Sequence, residues 1–80
     1  MTTIPPHDNA AHNDQVLIAA IANVNNQLGR YVLRFLDADA GRTEPPSPYD
    51  ERTLADSVTA IAEGLRVRAA RREAVRHLAT

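Results

Sequence analysis

Residues 17–38 read LIAAIANVNNQLGRYVLRFLDA, and their apolar side chains recur at alternating intervals of four and three residues. This spacing is the heptad repeat of a helix that packs lengthwise against another helix. The positions of the repeat are Leu17, Ile21, Val24, Leu28, Tyr31, Phe35 and Ala38. The stretch therefore predicts a long first helix and an all-α fold.

Capping and turn-forming residues set the limits of the first helix. Asn13 can accept a hydrogen bond from the exposed amides of a first turn, and Gly41 can terminate the helix. These signals predict a helix over residues 13–39. Residues 1–12 contain two prolines and little that can pack, which predicts a flexible N-terminal tail.

The second predicted helix begins with three favourable residues in succession. Ser47 can cap the first turn, Pro48 suits the first helical position, and Asp50 places an acid at the third. The preceding residues 40–47 form a predicted Pro-rich loop, because proline cannot lie inside a helix. The helix is predicted over residues 48–79.

Two long helices and a short loop make residues 13–80 an antiparallel two-helix hairpin. The expected register places Leu65 near Val24. Gly64 costs about 1 kcal/mol relative to alanine inside a helix, so it is expected to mark a close helix approach. The predicted seam of the second helix consists of Leu54, Val58, Ile61, Leu65 and Ala69.

The first helix offers more apolar surface than one neighbouring helix can cover. On a helical wheel its apolar side chains span roughly 160°. The chain has 80 residues, no Cys, no Trp and one Phe, so few other features can stabilise its core. We therefore expect two hairpins to dimerise as a four-helix bundle. A partner of different sequence, or a monomer with a frayed second helix, is the alternative.

The predicted interface contains one polar residue. Asn25 falls within the apolar arc, where a buried amide can fix register and oligomeric state. The alternative is an edge position with the amide in water. The eight candidate interface residues are Leu17, Ile21, Val24, Asn25, Leu28, Tyr31, Val32 and Phe35.

The C-terminal part of the chain is basic. Residues 66–76 read RVRAARREAVR, five arginines against one glutamate, in a chain whose net charge is −1. The arginines can suit a helix C terminus and pair with Asp8, Asp14 or the acidic hairpin tip of a second copy. They can instead bind nucleic-acid phosphates, or dock onto an acidic partner protein. The candidate anion- or partner-binding residues are Arg66, Arg68, Arg71, Arg72 and Arg76.

The sequence contains no recognisable catalytic, cofactor or metal motif. It lacks a Gly-rich phosphate loop, a paired-histidine metal motif and a Ser-His-Asp set. A concave pocket that gathers two or more arginines would favour an enzyme. No apolar run approaches the ~20 residues of a membrane span, and no secretory signal is evident. We expect a non-catalytic, cytoplasmic interaction protein without cofactor, metal or membrane partner; a nucleic-acid-associated regulator is the alternative.

Overall fold

The computed structural model describes residues 6–79, and the side chains of residues 10–78. It contains helix α1, Pro6–Asp39, and helix α2, Pro48–Ala79, which pack against each other. No strand occurs in the described part of the chain. The prediction of an all-α helical hairpin is confirmed.

Helix α1 begins earlier than the sequence predicts. Its first residue is Pro6, and Asn13, the predicted cap, lies within the helix. Proline is compatible with the first helical position, where its missing amide hydrogen is not needed. Residues 6–12, which belong to the predicted tail, are therefore helical, while residues 1–5 lie outside the described part of the chain.

The end of α1 is fixed by backbone hydrogen bonds around Gly41. The amide of Gly41 donates to the carbonyl of Ala38 at 3.0 Å, and that of Arg42 donates to Asp37 at 2.8 Å. This pair of bonds is the Schellman motif, which requires a left-handed residue after the helix. Gly41 supplies that conformation with φ +78°.

The start of α2 follows the predicted capping pattern. Ser47 Oγ accepts a hydrogen bond from the amide of Asp50 at 3.0 Å, and the Ser47 carbonyl accepts the amide of Glu51 at 3.0 Å. Pro48 occupies the first helical position, and α2 ends at Ala79. Ser47 therefore satisfies a backbone donor that the first turn would otherwise leave without a partner.

The face that α2 turns toward α1 differs from the predicted seam. Leu54 and Ile61 are half-buried, but Val58 and Leu65 are 41% and 47% exposed. Ala69, the remaining predicted position, is also exposed. Half-buried seam positions on α2 are Leu54, Ser57, Ile61, Gly64, Arg68 and Arg71.

The register also differs from the predicted one. Gly64 lies against Leu17, so close that a Cβ built on Gly64 would be 2.7 Å from Leu17 Cδ1. The predicted register puts this part of α2 near Val24, roughly two helical turns away. The expectation that Gly64 marks a close approach is confirmed, but its neighbour on α1 is not the expected one.

The contact between the helices encloses very little. Among the described side chains, Val24 is the only buried hydrophobic residue, at 8% exposure. The molecule measures 57 × 33 × 17 Å, with a radius of gyration of 18.2 Å. A compact globule of this length would have a radius of about 12 Å. The hairpin is therefore a single layer of two helices.

Candidate interaction surfaces

One face of the hairpin is apolar and open to solvent. On both helices these side chains lie on the same rotational side of the seam, within roughly 100° of it. Because the helices are antiparallel, side chains that are displaced from the seam in the same rotational direction lie on the same face of the hairpin. We call it the exposed apolar face; it consists of Ile18, Leu28, Val32, Phe35 and Leu36 of α1 with Val58 and Leu65 of α2.

The structure divides the eight candidate interface residues into two groups. The first group lies in the seam between α1 and α2: Leu17, Ile21, Val24 and Tyr31. The second group is exposed: Asn25, Leu28, Val32 and Phe35. Only the second group can supply substantial surface to another molecule. Asn25 sits beside the exposed apolar face, so its predicted role in register would need a partner.

At the open end of the hairpin, two arginines of α2 hold a carboxylate of α1. Arg71 Nη2 donates to Asp14 Oδ1 at 2.6 Å, and Arg68 Nε lies 3.1 Å from the same oxygen. The hydrogen bond from Arg71 is the main cause that lowers the pKa of Asp14 below its usual 3.8, with the charge of Arg68 adding to it against partial desolvation. This cluster ties the N-terminal part of α1 to α2.

The other candidate arginines are in different environments. Arg66 pairs with Glu63 one turn away at 2.7 Å. Arg72 and Arg76 are exposed and form no ion pair with another described residue. Pairing with Asp14, one of the sequence-based alternatives, is therefore confirmed for two of the five arginines. The side chain of Asp8, the other predicted partner on α1, lies outside the described residues.

The opposite end, the hairpin tip, carries most of the acidic side chains. Asp37 pairs with Arg42 at 3.1 Å. The hydroxyl of Tyr31 donates to Glu51 Oε2 at 2.7 Å, and this hydrogen bond, with partial desolvation and the charge of the carboxylate, raises the pKa of Tyr31 above its ordinary 10.0. The tip and the open end therefore differ in charge, as the sequence indicates.

A groove of about 350 Å³ lies beside the seam near the tip. We call it the arginine groove. The wall from α1 consists of Gln27, Arg30, Tyr31 and Arg34. The facing wall consists of Pro46, Tyr49, Asp50, Thr53 and Leu54.

Sequence reasoning missed the arginine groove. The signal that could have indicated it is the spacing of Arg30 and Arg34, one helical turn apart and both on the polar side of α1. What the sequence cannot show is that the register brings Tyr49 opposite them. The groove gathers Arg30 and Arg34, the feature stated above as favouring an enzyme, and it is therefore a candidate site for a small molecule.

Neither helix combines the length and apolarity that crossing a membrane requires, over the part of the chain that is described. Within that same part, no group of three or more His, Asp or Glu side chains is arranged to hold a metal ion. The comparisons with known proteins give no relative: no family model matches the chain, and no curated protein or solved structure is significantly similar to it.

Proposed function

We propose that this chain is a non-catalytic interaction protein that self-associates, two hairpins packing through the exposed apolar face as a four-helix bundle. The observation that carries the proposal is a contrast among the described side chains: Val24 is the one buried hydrophobic residue, whereas seven large apolar side chains are exposed on one face. Large contiguous apolar patches on a folded chain are typical of interaction sites. Covering this face would give the hairpin the enclosed core that it lacks alone.

The size of the exposed apolar face suits a second hairpin. From Ile18 to Leu36 the face runs roughly 27 Å along α1, and two adjacent helices are roughly 20 Å wide. A rectangle of these dimensions covers about 540 Å², roughly two thirds of the ~800 Å² that each partner contributes to a standard interface. At about 25 cal/mol per Å², the free energy gained by burying the face would then exceed the free-energy cost of association only if most of the face is covered.

The distribution of charge favours a second copy in antiparallel orientation. Arg72 and Arg76 at the open end have no described partner, and Asp39 and Glu44 at the tip are likewise exposed without an ion pair. An antiparallel pair of hairpins places the open end of each copy beside the tip of the other. Opposite charges then meet at both ends, which orients the two copies.

A matched pair of valine substitutions tests the proposal. Val32 is 53% exposed on the exposed apolar face, and Val67 is 64% exposed outside it. Val32→Asp should dissociate the assembly because it buries a charge at the interface. Val67→Asp introduces the same charge and should leave the assembly intact. Sedimentation velocity over a range of concentrations measures both, and circular dichroism checks that each variant is helical.

Two results would contradict self-association. One is an unmodified chain that sediments as a monomer at every concentration, and the other is a Val32→Asp variant that assembles as well as Val67→Asp. The first result would favour a partner of different sequence.

The alternative function, a nucleic-acid-associated regulator, would rely on fewer available arginines than the sequence suggests. Arg66, Arg68 and Arg71 already face carboxylates, which leaves Arg72 and Arg76. Two phosphate contacts would give weak and strongly salt-dependent binding. Binding of duplex DNA at low salt that disappears in Arg72→Ala/Arg76→Ala would favour this alternative.

A further inference from the structure

We infer that the arginine groove is a binding site for a small planar organic monoanion, such as an aromatic carboxylate. Its volume of about 350 Å³ falls at the lower end of the range typical of small-molecule sites, about 300–1,000 Å³. The site is formed by both helices and the residues that precede α2, so it exists only in the folded hairpin.

The groove contains one arginine that is fixed and one that has no partner. Arg34 Nε donates to the carbonyl oxygen of Glu44 at 3.3 Å, which anchors this side chain to the loop. Arg30 has neither a hydrogen bond nor an ion pair with any described residue. Its guanidinium can therefore offer two parallel N–H donors to a carboxylate, the geometry that this group recognises best.

The charges of the lining limit the charge of the ligand. Arg30 and Arg34 contribute two positive charges, and Asp50 on the facing wall contributes one negative charge. One negative charge on the ligand would neutralise the site. A dianion such as inorganic phosphate would add repulsion from Asp50, so the lining favours a monoanion.

The aromatic residues of the groove favour a flat ligand. Tyr49 is 76% exposed, although its ring is a large apolar surface. Tyr31 is half-buried, and its hydroxyl is already bonded to Glu51, so its ring is what it can offer to a ligand. Tyrosine rings and guanidinium planes both stack well on planar groups. A carboxylate attached to an aromatic ring can pair with a guanidinium through its charge and stack on the tyrosine rings at the same time.

Most of the arginine groove lies on the other side of α1 from the exposed apolar face. Arg30 and Arg34 lie roughly 120° or more around α1 from Val32 and Leu36 on the exposed apolar face. Arg30 also borders a shallow concavity with Leu28 and Val32 of the exposed apolar face, so a second hairpin would reach the groove at its Arg30 edge. Benzoate binding is therefore measured at a protein concentration at which the chain is monomeric, and its outcome does not depend on self-association.

Binding of benzoate to the ¹⁵N-labelled full chain, followed by NMR, tests the inference. Shifts should concentrate at amides that line the groove, such as those of Tyr31 and Thr53. Benzamide, the neutral isostere, should bind at least about tenfold more weakly, because it loses the charge-assisted hydrogen bond. Arg30→Gln should weaken benzoate binding by a similar factor.

Arg52→Gln provides the matched control, because it removes the same charge from an exposed position outside the groove. It should bind benzoate as the parent does. Tyr49→Ala is a second variant at an exposed position, and it should also weaken binding. The inference is overturned if Arg30→Gln and Arg52→Gln bind equally, if benzamide matches benzoate, or if inorganic phosphate binds more tightly than benzoate.

Discussion

Gly29 and Gly64 both lie inside helices, but their surroundings differ. A Cβ at Gly29 would meet nothing within 4 Å, whereas one at Gly64 would press on Leu17 Cδ1. Gly29→Ala should therefore raise the free energy of unfolding by about 1 kcal/mol through helix propensity alone. Gly64→Ala should gain less, because the Leu17 side chain must change rotamer to make room.

Urea unfolding followed by circular dichroism measures this difference, with both variants at the same low protein concentration. A gain at Gly64 equal to or greater than that at Gly29 would contradict the close contact with Leu17. In the proposed assembly Gly29 also lies near the exposed apolar face, so low concentration keeps the comparison within one hairpin.

At the scale of the helices, the sequence predicts the elements better than their contact. The heptad stretch, Ser47 and Gly41 each specify a local structure, and α1 ends and α2 begins where these signals indicate. The start of α1 was less predictable, because a proline pair is compatible both with a loop and with the first turn of a helix.

The seam of α2 could not be chosen from spacing alone. Val58 and Leu65 have the same heptad spacing as Ser57 and Gly64, one position earlier. Apolarity favours Val58 and Leu65 as seam positions, whereas in the structure Ser57 and Gly64 lie in the seam. The small side chains let the helices approach closely, and the same register brings Arg71 to Asp14. These contacts between distant residues cannot be predicted from the local spacing of apolar side chains. The arginine groove cannot be predicted from it either, because the groove depends on the register of the two helices.

The link between Asp14 and the arginines of α2 should make the hairpin sensitive to acid. Because the pKa of Asp14 in the folded chain is lowered, its stabilising contribution is present above the ordinary value of 3.8 and is lost as pH falls through the lowered pKa. Asp14→Asn should therefore melt at a lower temperature than the parent near neutral pH. The difference should disappear by about pH 2.

Thermal melts by circular dichroism across this range check the prediction. Asp56→Asn is the control, because Asp56 is exposed and forms no ion pair with another described residue. An Asp14→Asn variant that melts with the parent at neutral pH would mean that the pair with Arg71 and Arg68 does not stabilise the hairpin.

At the scale of the whole molecule, the separation of charge predicts how association responds to salt. If the open end of one copy meets the tip of another, reversing Arg72 and Arg76 to Glu should weaken the dimer at low ionic strength. The parent dimer should itself weaken between about 0.05 M and 0.5 M NaCl, because exposed pairs are screened over a few ångströms at high salt. The reversed variant should instead tighten over the same range.

Sedimentation equilibrium at both salt concentrations measures the two dissociation constants. Arg72→Gln/Arg76→Gln, which removes attraction without adding repulsion, should show little salt dependence. A reversed variant that follows the parent in both buffers would rule out the antiparallel arrangement but would leave association through the exposed apolar face intact.

The placement of the two tyrosines has a practical consequence. The chain has no tryptophan and two tyrosines, and both of these, Tyr31 and Tyr49, line the arginine groove. Nearly all of the near-ultraviolet absorption and intrinsic fluorescence of this protein therefore originates from one small region of its surface. Optical spectroscopy, which normally averages over a whole molecule, is here a local probe that needs no label.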